Sequence, residues 1–373
     1  MVRSRKERLD LLMVELGLAE SRQRAQRLIM AGQVLVGSRE MRALGMDGAY
    51  AVVDAVGEER AFAEPAAALA QLAERVAAAR IGDRPDVERQ MGIVREAHHA
   101  QVFKLMVQDL ENRLTVERVS DHLSELADRV LDLAIGIVWS QLRQRFREVP
   151  RFAVIGYGRL GGKELGYASD LDLVFLFDDD DERAPEAYAM LAQRLAAWLS
   201  TRTAAGLLFE IDLRLRPDGA AGMLVSRIGA FESYQRKSAW AWEHQALTRA
   251  RFCAGDASIG ERFESIRREV LAQRRDLGKL RDDVVAMRAK MHEGHPNRST
   301  LFDLKHDRGG MVDIEFIVQY LVLAHSADHP QLLDNKGNIA LLGSAARVGL
   351  IDEALAAAVA DAYRRYRRLQ HRL

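Results

Sequence analysis

The residues of this 373-residue chain that could carry chemistry are concentrated in the stretch 152–178, FAVIGYGRLGGKELGYASDLDLVFLFD. An apolar run ends in Gly156-Tyr157-Gly158, the pair Gly161-Gly162 follows, and Ser169-Asp170-Leu171-Asp172-Leu173 opens a second apolar run. The pattern reads as strand, glycine turn, short connector and second strand. Backbone N–H groups around Gly156, Gly158, Gly161 and Gly162 can approach triphosphate oxygens, because glycine has no side chain in the way. Asp170 and Asp172 lie two apart, a strand spacing that turns both carboxylates to one side. Asp212, from a neighbouring segment, can complete a triad. Two carboxylates about 4 Å apart repel by about 4 kcal/mol at an effective dielectric near 20. A divalent cation turns that repulsion into attraction, and oxygen-only ligands suit Mg²⁺ bound jointly with phosphates. The chemistry that follows is nucleotidyl transfer with two ions, one on the attacking hydroxyl and one on the triphosphate. An exposed acidic strand end is the bland reading. Leu171, Leu173, Phe175 and Phe177 oppose it by setting this strand against a core.

The match to Gly-x-Gly-x-x-Gly invites a dinucleotide-binding fold, but the spacing argues against it. That fold needs a helix of about ten residues or more before its next strand. Only residues 163–169 separate Gly162 from Asp170.

The elements that must position these groups are mostly helical by composition, with 7 prolines and recurrent Ala, Leu, Arg and Glu. The formal net charge is +0 with 29% charged residues, which gives no global attraction to nucleic acid. The single cysteine, Cys253, excludes an intrachain disulfide and makes a thiolate metal site implausible. No apolar run approaches the roughly 20 residues of a membrane span, and the basic N-terminus lacks a signal-peptide core. A cytoplasmic location is the expectation.

Before the glycine turn, three helices are expected: one begun by Leu69, Leu72 and Val76, a longer one over 91–110, and a third capped by Ser120 or Asp121. His98 and His99 sit in the second without ligand spacing and read as partly buried or surface histidines. After the second strand a helix should run over 185–200. The segment LLFEIDLRLR at 207–216 alternates from Phe209 onward, which predicts a strand with Glu210, Asp212, Arg214 and Arg216 on one face, ended by Pro217. Two acids and two arginines on one face suit a polar site. From Ser226 to the end the chain is again helical. Stripes at Leu280, Val284, Met287 and Met291, and at Ile314, Ile317, Val318 and Leu321, mark two of those helices. The final YRRYRRLQHRL has no cap, as expected of a domain that continues.

Residues 6–36 form a pattern of their own, two short amphipathic helices bearing Arg8, Arg22, Arg24 and Arg27. This pattern resembles the S4 RNA-binding module, which implies RNA binding through residues 3–36. A solvated basic helical hairpin is the alternative. The expected division is an S4-like module at 1–37, a linker at 38–60, a helical platform at 61–148, a catalytic domain at 149–260 and a C-terminal helical domain at 261–373.

The central features together resemble the polymerase-β-like nucleotidyltransferase superfamily. The motifs GYGRLGGKELGYASDLDLVFLF, STRTAAGLLFEIDLRLRPDGAAGMLV, AWAWEHQALTRAR and FDLKHDRGGMVDIEFIVQYLVL, in that order, are similar to the bifunctional glutamine synthetase adenylyltransferase/deadenylylase family, in its adenylylating half. The resemblance implies an α+β fold, a mixed sheet flanked by helices. It also implies transfer of AMP from ATP to a tyrosine hydroxyl of glutamine synthetase, which lowers that enzyme's activity. Carried onto this chain, Asp170 and Asp172 bind metal, and Asp212 is a third metal-binding carboxylate near the incoming hydroxyl. Gly156, Gly158, Gly161, Gly162 and Ser169 line the nucleotide. Arg214 and Arg216 contact triphosphate or substrate, with a salt bridge to Glu210 as the alternative. Lys305, Asp313 and Glu315 fall in a similar helical segment without a role that follows from their chemistry. Another protein or a small molecule as acceptor remains open, as does an RNA-binding protein dominated by its S4-like start. The deadenylylating half is absent from the sequence, which places reversal of the modification, and regulation by the nitrogen-signalling partner protein, in doubt.

Overall fold

The computed structural model describes residues 65–372 together with Ser21. The S4-like helices and the linker expected at 38–60 otherwise lie outside the described residues. The fold is α+β, as the sequence predicts. Helices α1 (Pro65–Ala78), α2 (Val87–Leu110) and α3 (Val116–Ser140) precede the sheet, with a small β1–β2 ladder (Arg80–Ile81, Arg84–Pro85) between the first two. The third helix starts earlier than expected. Its cap is Thr115, whose hydroxyl accepts from Arg118 N at 3.3 Å. Ser120 and Asp121 therefore sit inside the helix, and Ser120 is fully buried.

The main sheet is mixed and has five strands: β3 (Phe152–Gly156), β4 (Leu171–Phe177), β5 (Ile211–Asp212), β6 (Val225–Arg227) and β7 (Arg251–Gly255). β3 lies between β4 and β7, antiparallel to both. An antiparallel β3–β4 pair joined through α4 (Gly158–Gly161) is incompatible with the parallel crossover of a dinucleotide fold. β5 and β6 share the outer edge of β4, both parallel to it, β5 at its start and β6 at its end.

β3 and β4 read as near-continuous apolar runs because the sheet is covered on both faces. On one face Phe152 and Phe175 stack with ring centres 5.5 Å apart, and Tyr188 of α5 (Ala184–Ser200) stacks on Trp139 of α3. On the other, Ala153, Ile155, Val174 and Leu176 pack against α6 (Ile228–Lys237) and α8 (Ala257–Leu271) through Phe231, Phe263 and Ile266. Arg251 ties β7 to α3 through a two-pronged pair with Asp128 at 2.7 and 2.8 Å.

The strand expected over 209–216 is pairing only at Ile211–Asp212. Beyond Asp212 the chain turns, and the edge of β4 that it would have followed is taken by β6. Arg214 and Arg216 consequently stand in a turn, not on a strand face.

Helices α7 (Ala241–Leu247), α9 (Leu277–Gly294), α10 (Met311–His325), α11 (Asn338–Arg347) and α12 (Glu353–Arg372) complete the chain. Met311, Val318, Leu341, Leu342 and Tyr363 form a second core there. In the expected stripe on α10, Ile317 departs from its neighbours and is half exposed. His98 is buried against Phe209, with ring centres 4.9 Å apart, and burial and then the neighbouring His99 push its pKa down to about 3. Among the described residues no helix is long and apolar enough to cross a membrane.

Candidate active site

The parallel register pairs Asp172 with Asp212, so these two side chains leave adjacent strands side by side. Asp170 ends the connector one residue before β4 rather than lying on it. One oxygen from each of the three carboxylates lies within 4.8 Å of the others, with Asp170 exposed and the other two partly buried. The sequence-predicted triad is thus assembled, by a register that joins residues forty positions apart in the chain.

Its electrostatics are uneven. Burial, and then the charges of Asp170 and Asp212, push the Asp172 carboxyl up to about 6. Hydrogen bonds from Arg214 hold Asp212 below its ordinary value despite partial burial. Arg214 Nε donates to both oxygens of Asp212, at 3.1 and 2.8 Å, and its backbone N–H donates at 2.8 Å. The ion pair anticipated with Glu210 forms, for Arg214, with Asp212 instead. The Arg214 side chain is 81% exposed against 15% for Asp212, so this carboxylate is neutralised from the solvent side only. Arg216 donates to the carbonyls of Leu213 at 2.6 Å and Gly222 at 3.2 Å, closing the turn that follows.

The glycines divide into two roles. A Cβ on Gly158 would stand 2.1 Å from Asp172 Oδ2, and its φ of +54° disfavours any side chain. Gly158 therefore lets the turn backbone lie directly against the Asp172 carboxylate. Gly161 serves packing, since a Cβ there would meet Arg249 O at 1.9 Å. Gly156 and Gly162 lie against the side chains of Cys253 and Arg249. The N–H groups of Gly161 and Gly162 donate within the turn, to Tyr157 O at 2.8 Å and Gly158 O at 3.0 Å. Those two amides are engaged already. Ser169 Oγ accepts from Gly166 N at 2.9 Å and from Arg159 at 3.3 Å, closing the connector.

Three carboxylates, oxygen-only and mutually repelling, with a shielding glycine opposite, suit a hard divalent cation shared with phosphate oxygens. Sequence reasoning missed the layer behind them. Glu164, in the connector, is 5% exposed and bridges Arg249, itself 7% exposed, at 2.7 Å. Glu315 completes the pair from α10 at 3.0 Å. No local signal separates Glu164 and Arg249 from the other charged residues of their motifs, such as Lys163 and Arg251.

Comparison with known proteins adds three matches of families. The family model described as glutamate-ammonia ligase adenylyltransferase matches residues 40–266. One described as PII-uridylyltransferase matches 285–373, and the S4 domain matches 7–40. The chain is 60% identical over 288 residues to the bifunctional glutamine synthetase adenylyltransferase/adenylyl-removing enzyme of Aromatoleum aromaticum, covering 77% of this chain and 31% of that protein. It is 61% identical over 304 residues to the protein of that name from Ralstonia nicotianae, covering 80% of this chain and 31% of that one. For the Bordetella bronchiseptica protein the figures are 55% over 326 residues, 86% and 35%. The chain spans about a third of the length of the curated relatives it matches.

Proposed function

The chain belongs to the glutamate-ammonia ligase adenylyltransferase family, and from that premise we propose that it transfers AMP from ATP to a tyrosine hydroxyl of glutamine synthetase, in the cytoplasm, lowering that enzyme's activity. The observation that carries this reading is the triad of Asp170, Asp172 and Asp212, with the Gly158 backbone packed against Asp172. The printed names of the relatives support the acceptor.

In this reading the three aspartates hold Mg²⁺. The bound metal supplies positive charge to the triphosphate and lowers the pKa of the acceptor hydroxyl. Asp170, on the solvent side, and Asp172 face the triphosphate, and Asp212 stands nearest the incoming tyrosine oxygen. Gly158 lets the turn backbone sit against Asp172, where any side chain would collide with the carboxylate. Arg214, exposed beyond Asp212, exchanges its carboxylate partner for a phosphate oxygen when nucleotide binds. Arg216, Ser169, Gly156, Gly161 and Gly162 act mainly by shaping the turns that frame this space. The tyrosine hydroxyl gives up its proton to solvent, its oxygen bonds to the α-phosphorus, the α–β bridging bond breaks, and pyrophosphate leaves.

The match at 285–373 supports a nitrogen-signalling regulator as a partner of the C-terminal helices. A second reading rests on the S4 match at 7–40, which supports RNA binding through residues 3–36. Salt-sensitive RNA binding lost on deleting residues 1–36 is its expected signature.

Incubation with α-labelled ATP, Mg²⁺ and glutamine synthetase tests the main reading. Label should appear on glutamine synthetase and disappear with Asp170→Asn. Label that survives the substitution would sink the metal assignment. ATP turnover with label on another acceptor would move the function to a different substrate.

A further inference from the structure

The glycine turn and the connector that follows it are tied to the C-terminal region at three points. Asn335 Nδ2 donates to the carbonyl of Gly161 at 2.7 Å. Arg367 donates to the carbonyl of Glu164 at 2.9 Å, and also to Ser120 of the platform helix α3. The Glu164 carboxylate is the third point. It accepts from Arg249 at 2.7 Å, from Asn338 N and Nδ2 at 2.8 Å each, and from Tyr363 OH at 2.8 Å.

This cluster is balanced in charge. Glu164 and Glu315 face Arg249 and Arg367, two negative groups against two positive. Burial works against ionising Glu164, yet Arg249 and Arg367 outweigh it and hold the carboxyl below its ordinary value. The Tyr363 hydroxyl lies 2.8 Å from Glu164 and 2.9 Å from Glu315 and can donate its one proton to either carboxylate, while its oxygen accepts from Asn338 Nδ2 at 3.1 Å. The chain is strained to reach this arrangement. Lys163, directly before Glu164, has a φ of +53°, a left-handed conformation ordinarily left to glycine at the end of a helix. Strain held at one residue, next to a saturated buried acid, marks a segment whose position is over-determined.

We propose that Glu164 is a positioning residue for the transfer reaction. It fixes the connector that carries Gly158 at one end and Asp170 at the other, and it makes the C-terminal helices a working part of the site. This rests on the reading of the site given above. Transfer between positioned groups is sensitive to misplacement of about 1 Å, which costs about a hundredfold in rate. Residues 163–169 span the distance from the glycine turn to the triad, and Glu164 is their inward anchor. Saturation of a single carboxylate by four donors does not by itself argue for stability, because buried ion pairs contribute little net.

The test uses the full chain with Tyr363→Phe, which removes the hydroxyl and keeps the ring. Amide hydrogen exchange across 163–169 should quicken about tenfold, the effect of one lost hydrogen bond. The kcat for AMP transfer should fall about tenfold or more, with KM for glutamine synthetase unchanged. Asn335→Ala, which releases the Gly161 carbonyl from outside the ion cluster, should act in the same direction and serves if Tyr363→Phe does not fold. Exchange that rises equally over the whole chain, or unchanged kcat with 163–169 loosened, overturns the positioning role. A wild-type chain that transfers no AMP overturns the reading of the site instead, and unchanged exchange in both variants overturns the link to the C-terminal helices.

Discussion

Two carboxylates a few residues apart in this chain meet opposite treatment. Asp172 is partly buried beside two other acids, with its partner cations at a distance, and its carboxyl is pushed up to about 6. Glu164 is buried more deeply, yet saturated by Arg249, Asn338 and Tyr363, and is held below its ordinary value. Burial opposes ionisation at both. What differs is whether the protein supplies the compensating charge itself or leaves it to come from solution. A carboxylate that the fold satisfies belongs to the framework. One that the fold leaves repelled is the place where a cation and its nucleotide are proposed to bind.

The largest way to break this contrast is Glu164→Ala. It leaves Arg249 buried opposite Glu315 alone and should cost about 3–5 kcal/mol of stability in urea denaturation. A loss below about 1 kcal/mol would mean that the cluster is not a framework element. Asp172→Asn should have the opposite sign. Removing a repelled charge should stabilise the metal-free chain by roughly 1–3 kcal/mol at neutral pH, while AMP transfer falls by on the order of 10³-fold. A destabilised Asp172→Asn chain would contradict the repulsion assigned here.

The same contrast appears in pH. The folded pKa of Asp172, about 6, lies above its ordinary 3.8. Its contribution to stability is therefore fully present below about pH 4 and is lost as pH rises through about 6. Glu164 runs the other way, its contribution present above its ordinary 4.5 and lost as pH falls. If the triad holds Mg²⁺ as proposed, the ion must displace the Asp172 proton, and its affinity should climb between about pH 5 and pH 7 in calorimetric titration. A flat profile would remove Asp172 from the ligand set. The smallest effect should be that of Arg214→Ala. An 81% exposed partner should leave stability essentially unchanged, while KM for ATP rises several-fold.

Much of this was legible in the sequence because it is local. The apolar runs at 152–156 and 171–177 bracket the glycine turn, and the tight spacing to Asp170 and Asp172 excludes a dinucleotide crossover. The 207–216 segment shows where local pattern fails. Its alternation satisfies the strand period over eight residues, but only Ile211 and Asp212 pair with β4, whose edge at Phe175–Phe177 is taken by β6. Strand pairing needs a free edge, and no periodicity in one segment reports whether another has taken it. The cap of α3 was misplaced for a related reason. Ser120 has capping chemistry, but its hydroxyl meets Arg367 from the far end of the chain.

The sequence by itself determined the chemical set: three carboxylates, a glycine turn, an oxygen-only donor group and the two central strands beside them. These follow from residue type and short spacing, which act within a few bonds. Only the tertiary structure decided which acids are left repelled and which are satisfied. It set Asp172 beside Asp212 through parallel register, reserved Gly161 and Gly162 for packing on Arg249, and placed Glu164 among donors from residues 249, 338 and 363. Electrostatic environment is a property of neighbours in space, and those neighbours lie up to 199 positions away in the chain.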